Sequence, residues 1–287
     1  MTAYTDIRYA SADARLTLYA RDYGGEGMPV LCLHGLTRNS ADFEALAAHL
    51  SPHYRVIVPD MRGRGLSDND PEPLNYQPLV YVGDVFGLLG ELGLPRCVII
   101  GTSMGGIMAM LMANLAAPMV IGVVLNDVGP ELDPAGLERI KTYTGKGGPV
   151  RDWVHAAERT RLVNEVAFPD YNEADWLAFA HRTYRDTPQG PAPAYDPDIA
   201  KPFQAADDGA APPDMWGLWD KMQAVPVLAI RGELSDLLSP QTFEAMQARH
   251  PDLQAVTVPG RGHAPMLDEP VAVAAIDGFL QAMAGRV

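Results

Sequence analysis

The sequence predicts an α/β fold: a mostly parallel central sheet of about eight strands with an N-terminal antiparallel hairpin, helices on both faces, and a helical cap insertion. Three observations carry this reading. Short, continuously apolar runs alternate with segments of helical periodicity, as expected of parallel strands covered on both faces by crossover helices. The first twenty residues instead alternate apolar and polar, as half-buried antiparallel strands do. The strand–helix rhythm stops near residue 131 and resumes near residue 223, so a long segment is inserted between two strands of one sheet.

In chain order, residues 5–9 (TDIRY) and 15–20 (RLTLYA) read as the hairpin. VLCLHG at 30–35 is the first buried strand. The segment after it places Phe43, Leu46, Ala47 and Leu50 on one helix face behind Asn39 or Ser40 as N-cap. RVIVPD at 55–60 is the next strand, and Leu79, Val82, Phe86 and Leu89 recur at helical spacing over 78–92. CVIIG at 97–101 leads into a helix over 104–116 that is apolar on most sides. Its methionines therefore read as packing, with Met104 alone expected at the site. VIGVVLND at 120–127 is a further strand. After the insertion come VPVLAIRG at 225–232, a helix at 240–250, LQAVTVPG at 253–260 and a helix at 268–284.

Residues 1–130 and 223–287 are thus assigned to the core and 131–222 to the insertion. The insertion holds all four tryptophans, Trp153, Trp176, Trp216 and Trp219, and helical patterns at 150–166 and 172–184. No strand is expected in it. A run of prolines from Pro188 to Pro213 stiffens its end, because proline lacks the N–H that helices and ladders need. A separate domain is the alternative, but the sheet needs its strands from both sides of the segment.

Thirty-six acidic residues against 22 basic ones give a net charge of −14, which disfavours a phosphate backbone as partner while leaving room for an anionic ligand at a local positive site. No apolar run is long enough to span a bilayer, and the first residues lack a basic-then-apolar leader, so a cytoplasmic protein with no membrane association is expected. Cys32 and Cys97 sit in buried strands and read as reduced core thiols.

The chemistry centres on Gly101-Thr-Ser-Met-Gly-Gly106, between a buried strand and a helix. A serine at so sharp a turn has a strained backbone and an exposed hydroxyl, and the helix directs its positive end at it. A serine needs a base. Of seven histidines, His49, His53 and His250 read as helix-end or turn residues, and His155 and His181 lie in the insertion. His263, in Pro259-Gly-Arg-Gly-His-Ala-Pro265, follows the last strand and so emerges at the sheet edge where Ser103 does. A carboxylate must orient that histidine. Asp236, after VPVLAIRG, is the first candidate; Asp127, which also ends a strand, and Glu233 are its rivals. Two backbone N–H groups are needed for a developing oxyanion: Met104, next to the serine, and Leu36, where His34-Gly35 turns the chain. His34 reads as a residue that orders this loop.

With these residues in place, the chain resembles the α/β-hydrolase superfamily, in its serine-nucleophile branch with a helical cap. His34-Gly35-Leu36, Asp60-Met-Arg-Gly-Arg-Gly-Leu-Ser-Asp68, Gly101–Gly106 and Gly262-His-Ala-Pro265 carry the resemblance. It implies acyl transfer from a small-molecule ester or lactone through Ser103, Asp236 and His263, with no metal or organic cofactor. It implies that Asp60–Asp68 is a structural turn buttressing the loop beside the nucleophile. The cap would set substrate choice, its tryptophans with Tyr143, Phe168, Tyr171, Phe179 and Tyr184 being candidates for an apolar pocket, although at least half should form the cap's own core. Serine at the elbow argues against haloalkane dehalogenases and epoxide hydrolases, which use aspartate there. Met104 departs from the Trp usual in proline iminopeptidases, and Thr102 from the Asn frequent in C–C bond hydrolases of vinylogous diketones. That C–C chemistry and a slow-turnover ligand receptor remain the alternatives. The expected partner is a small acyl substrate with an apolar part, and the expected state a monomer or homodimer.

Overall fold

In the computed structural model, which describes residues 3–202 and 214–285, the apolar runs become strands β1 (Thr5–Ala10), β2 (Thr17–Asp22), β3 (Pro29–Leu33), β4 (Arg55–Asp60), β5 (Cys97–Thr102) and β6 (Val120–Asn126). A two-residue ribbon follows, β7 (Tyr184–Arg185) with β8 (Ala192–Pro193), and then β9 (Val227–Gly232) and β10 (Leu253–Val258). Eight strands form one sheet in the order β1-β2-β4-β3-β5-β6-β9-β10. β1 and β2 pair antiparallel, β2 runs antiparallel to β4, and every later pairing is parallel. The chain therefore brings the carboxyl ends of β3, β5, β6, β9 and β10 to one edge, where ligands of open α/β sheets collect.

Both faces are covered. Helices α1 (Glu44–Leu50), α2 (Pro78–Glu91) and α3 (Met104–Leu115) precede the inserted segment; α4 (Pro134–Tyr143), α5 (Trp153–Asn164), α6 (Glu173–Thr183) and α7 (Met215–Asp220) lie within it; α8 (Pro240–Arg249) and α9 (Pro270–Ala284) close the chain. β5 shows why its run is apolar throughout. Cys97 and Ile99 pack on one side with Leu88, Leu89 and Met108, while Val98 and Ile100 pack on the other with Leu46, Phe279 and Met283. The cysteines are free and fully enclosed, and burial pushes the Cys97 thiol up to about 12. Asn39 is the cap anticipated before the first helical segment, its side chain accepting from the Ala41 N–H.

Two expectations change. The buried stripe of α2 is Tyr81, Val82, Val85, Leu88 and Leu89, whereas Leu79 is 59% exposed. Pro78 starts that helix, so Leu79 falls in its first turn, ahead of the buried stripe. The inserted segment also contains the β7–β8 ribbon, although it was expected to have no strand; Tyr184 pairs with Pro193 and Arg185 with Ala192. The late part of the segment packs into the main core, where Ile199, Trp219 and Met222 are fully buried. Ala167, Phe168, Trp176 and Phe179 form a smaller core of their own with Met266 from the loop after β10. Of the proline run, Pro212 and Pro213 lie outside the described residues.

Candidate active site

The turn between β5 and α3 holds Ser103 at φ 53° and ψ −116°, left-handed backbone that a side chain rarely adopts. Its neighbours must be small. A Cβ on Gly105 would stand 2.0 Å from the Leu33 carbonyl oxygen, and one on Gly101 would stand 2.4 Å from that of Gly105. Hydrogen bonds pin the turn: Ser103 N–H donates to Asn126 O at 3.0 Å, and Asn126 Nδ2 donates to Thr102 Oγ1 and to Pro265 O. Asn126 thereby ties the elbow to the loop after β10.

That loop carries His263, whose Nε2 lies 2.9 Å from Ser103 Oγ. Its Nδ1 lies 2.8 Å from Oδ2 of Asp127. A carboxylate only accepts, so Nδ1 carries the proton and Nε2 is left to accept from the serine hydroxyl. Asp127 is fully buried, at φ 56°, immediately beyond β6. Its Oδ1 accepts from the Gly232 N–H at 2.8 Å and its Oδ2 also accepts from Ser235 Oγ at 2.6 Å. The carboxylate thus reaches across the end of β9 with each oxygen satisfied.

Asp236, expected to orient the histidine, is placed elsewhere. Ser235 turns inward to Asp127 and also accepts from the Leu237 and Leu238 N–H groups, while Arg231 grips the carbonyls of Glu233, Ser235 and Leu238. The loop so fixed turns Asp236 outward, where it forms a bidentate pair with Arg139 of α4. Burial would raise the Asp236 carboxyl, but the Arg139 guanidinium outweighs it and holds it below the usual carboxylate range. The other rival, Glu233, accepts from the Gly260 N–H through its side chain.

The expected oxyanion donors lie beside the serine. A Cβ built on Gly35 would stand 3.6 Å from Ser103 Cβ, which places the turn to Leu36 next to the hydroxyl. Among the described residues neither the Leu36 nor the Met104 N–H has a hydrogen-bond acceptor. Met104 opens α3, so its N–H also sits at the positive end of a helix. The Met104 side chain, expected at the site, instead packs under it, its sulfur 3.9 Å from an Arg64 nitrogen. Arg64 is buried and donates through Nε to Leu36 O at 2.9 Å, so the Asp60–Asp68 turn does brace the loop beside the serine. His34 is enclosed behind it, donating from Nδ1 to Gly35 O and accepting the Met61 N–H at Nε2. Burial pushes His34 down to about 4, so it stays neutral.

Above Ser103 lies a cavity of about 360 Å³. Leu36, Thr102, Ser103 and His263 form its floor, and Ile140, Tyr143 and Phe168 are among its walls. Of the aromatic candidates, Tyr143, Phe168 and Tyr184 line it. None of the four tryptophans does: Trp176 and Phe179 belong to the smaller core, Trp219 to the main one, Trp153 stacks on His181, and Trp216 donates to Glu131. Arg38, Lys146 and Arg159, which sequence reasoning did not single out, also line the cavity. Their signal was faint, since Arg38 and Lys146 are single cations in loops and Arg159 one cation on a helix. The remaining histidines lie apart from it: His49 pairs with Asp277, and His250, at the end of α8 as expected of a helix-end residue, is buried against Met222 O. Among the described residues no group of three or more His, Cys, Asp or Glu side chains is placed to hold a metal ion, and no helix is long and apolar enough to cross a membrane.

Comparison with known proteins agrees with this architecture. The chain is 34% identical over 269 residues to a 3-hydroxybutyrate-oligomer hydrolase of Cupriavidus necator, covering 87% of each protein. It is 30% identical over 251 residues to a 2-(acetamidomethylene)succinate hydrolase of Mesorhizobium japonicum, covering 87% of this chain and 86% of that one. The crystal structure of an alpha/beta hydrolase from Novosphingobium aromaticivorans superposes with a TM-score of 0.91 at 44% identity, over all of both chains. The model of the alpha/beta hydrolase family matches residues 30–276. Strand order, the serine elbow between β5 and α3, and these matches together make the chain a hydrolase-fold protein that belongs to the alpha/beta hydrolase family.

Proposed function

We propose that this protein is a serine hydrolase that cleaves a small-molecule ester through an acyl-enzyme on Ser103, with no cofactor. The observation that carries the reading is the unbroken line from Ser103 Oγ through His263 to Asp127. Ser103 Oγ attacks the carbonyl carbon as His263 Nε2 takes its proton, and Asp127 stabilises the imidazolium so formed. The oxyanion accepts from the Leu36 and Met104 N–H groups. Collapse expels the alcohol, which leaves with the proton from His263. Water, deprotonated by His263, then attacks the acyl-serine, and the acid departs.

In this reading Asp127, not Asp236, is the orienting acid, and Asp236 fastens α4 to the loop after β9. Helices α4 to α6 act as a cap that selects the substrate. The Cupriavidus relative is named for oligomers of 3-hydroxybutyrate, a hydroxy acid, which favours an ester as the bond cleaved.

The test is multiple turnover on a panel of 4-nitrophenyl acyl esters and lactones. Wild type should turn over at least one class. Ser103→Ala should lower kcat by at least about 10³-fold with the fold unchanged by circular dichroism. A variant retaining full activity would remove Ser103 from the mechanism.

A further inference from the structure

The cavity above Ser103 runs against the charge of the whole chain. Three cations line it, Arg38, Lys146 and Arg159, against one carboxylate, Asp42, in a protein of net charge −14. Arg38 is already committed: its Nε donates to Asp42, and its guanidinium lies 4.2 Å from the centroid of the Phe179 ring. Lys146 and Arg159 have no carboxylate partner among the described residues. Both belong to the inserted segment, Lys146 just beyond α4 and Arg159 on α5.

Arg159 lies against the backbone that follows α4. Gly147, at φ 103°, passes so close that a Cβ there would stand 3.3 Å from a guanidinium nitrogen. Tyr184 and Tyr195 share this part of the cavity, and both phenols feel the Arg159 charge, which opposes the rise that burial causes. Two phenols, a guanidinium and an ammonium thus line one cavity, together with polar Thr160 and Asn164 and apolar Ile140 and Phe168. Both cationic side chains are exposed to solvent as well as lining the cavity. An unpaired cation gains from an anion that brings its own charge, and arginine matches a carboxylate through two parallel hydrogen bonds.

We infer that Arg159 and Lys146 receive a carboxylate of the substrate, so that the enzyme takes anionic esters bearing a free acid remote from the scissile carbonyl. This rests on the ester-hydrolase reading above. Arg159 supplies the planar fork, Lys146 a movable second charge, and Ile140, Val163 and Phe168 of the same cavity offer apolar contact to the chain that links acid to ester. The overall acidity repels anions at long range, so the local pair selects by binding rather than by steering.

The test compares two acyl donors of equal chain length, the 4-nitrophenyl monoester of adipic acid and 4-nitrophenyl hexanoate. The quantity read is the adipate-to-hexanoate ratio of kcat/KM for wild type, Arg159→Gln, Lys146→Gln and the double variant. The ratio should fall at least tenfold in the double variant, chiefly through KM for the adipate ester. Arg161→Gln, on the same helix but outside the cavity, removes the same charge and should keep the ratio within twofold of wild type. A ratio that stays constant across the cavity variants, or falls equally in Arg161→Gln, would overturn the inference while Ser103-dependent hydrolysis of the hexanoate ester leaves the proposed function standing. Hydrolysis of neither ester would overturn both.

Discussion

His34 carries no proton to spare, and that has a consequence for stability. Its ring is fully enclosed, and burial lowers it from 6.5 to about 4. Above pH 6.5 the imidazole is neutral folded or unfolded, and its contribution is fully present. As the pH falls toward 4, the unfolded chain binds a proton that the folded chain refuses, and stability is lost, by about 3 kcal/mol at most. The unfolding free energy of wild type minus that of His34→Gln, measured by denaturant at several pH values, should therefore shrink between pH 7 and pH 4. A difference that stays constant would contradict a buried neutral imidazole. Single residues also mark where the sequence was and was not legible. Ser103 and His263 could be read because their flanking glycines, strand and helix define their place. Asp127 and Asp236 both follow strands, and nothing local separates them. What separates them is Arg139, which captures Asp236 from a helix far away in the chain, and Ser235, which turns toward Asp127.

At the scale of elements, the elbow works because α3 lies almost on top of β3. Leu33 O occupies the place of any side chain at position 105, and a backbone atom cannot swing aside. Gly105→Ala should force α3 away from the sheet, lower stability by about 2 kcal/mol or more, and displace the Met104 N–H. Gly278→Ala in α9, where a Cβ meets nothing within 4 Å, should instead stabilise by about 0.5–1 kcal/mol. Denaturant midpoints read both, and equal effects would contradict the close approach. The core strands were legible as elements because a strand buried on both faces has to be apolar throughout. The β7–β8 ribbon was not, because two residues per strand leave no periodicity to read. The buried stripe of α2 shifted for a related reason: the sequence shows which residues recur, and the packing partner decides which of them face inward.

At the scale of the molecule, the sheet order turns distant segments into neighbours. Ser103 follows β5, Asp127 follows β6 and His263 follows β10, and β9 between them supplies the Gly232 N–H and Ser235 hydroxyl that hold the carboxylate. The inserted segment contributes Lys146 and Arg159 to the cavity at this edge, two cations that the net charge gives no hint of. The most direct test of the central claim, that Ser103 is activated by His263 held by Asp127, needs no knowledge of the substrate. The rate of fluorophosphonate labelling is followed by intact mass, and the adduct is located by peptide mapping, in wild type, Asp127→Asn and Asp236→Asn. The account predicts one adduct on Ser103, labelling slowed by about 10²-fold or more in Asp127→Asn, and Asp236→Asn within a few-fold of wild type. An adduct on another residue, or the reverse order of the two variants, would contradict it.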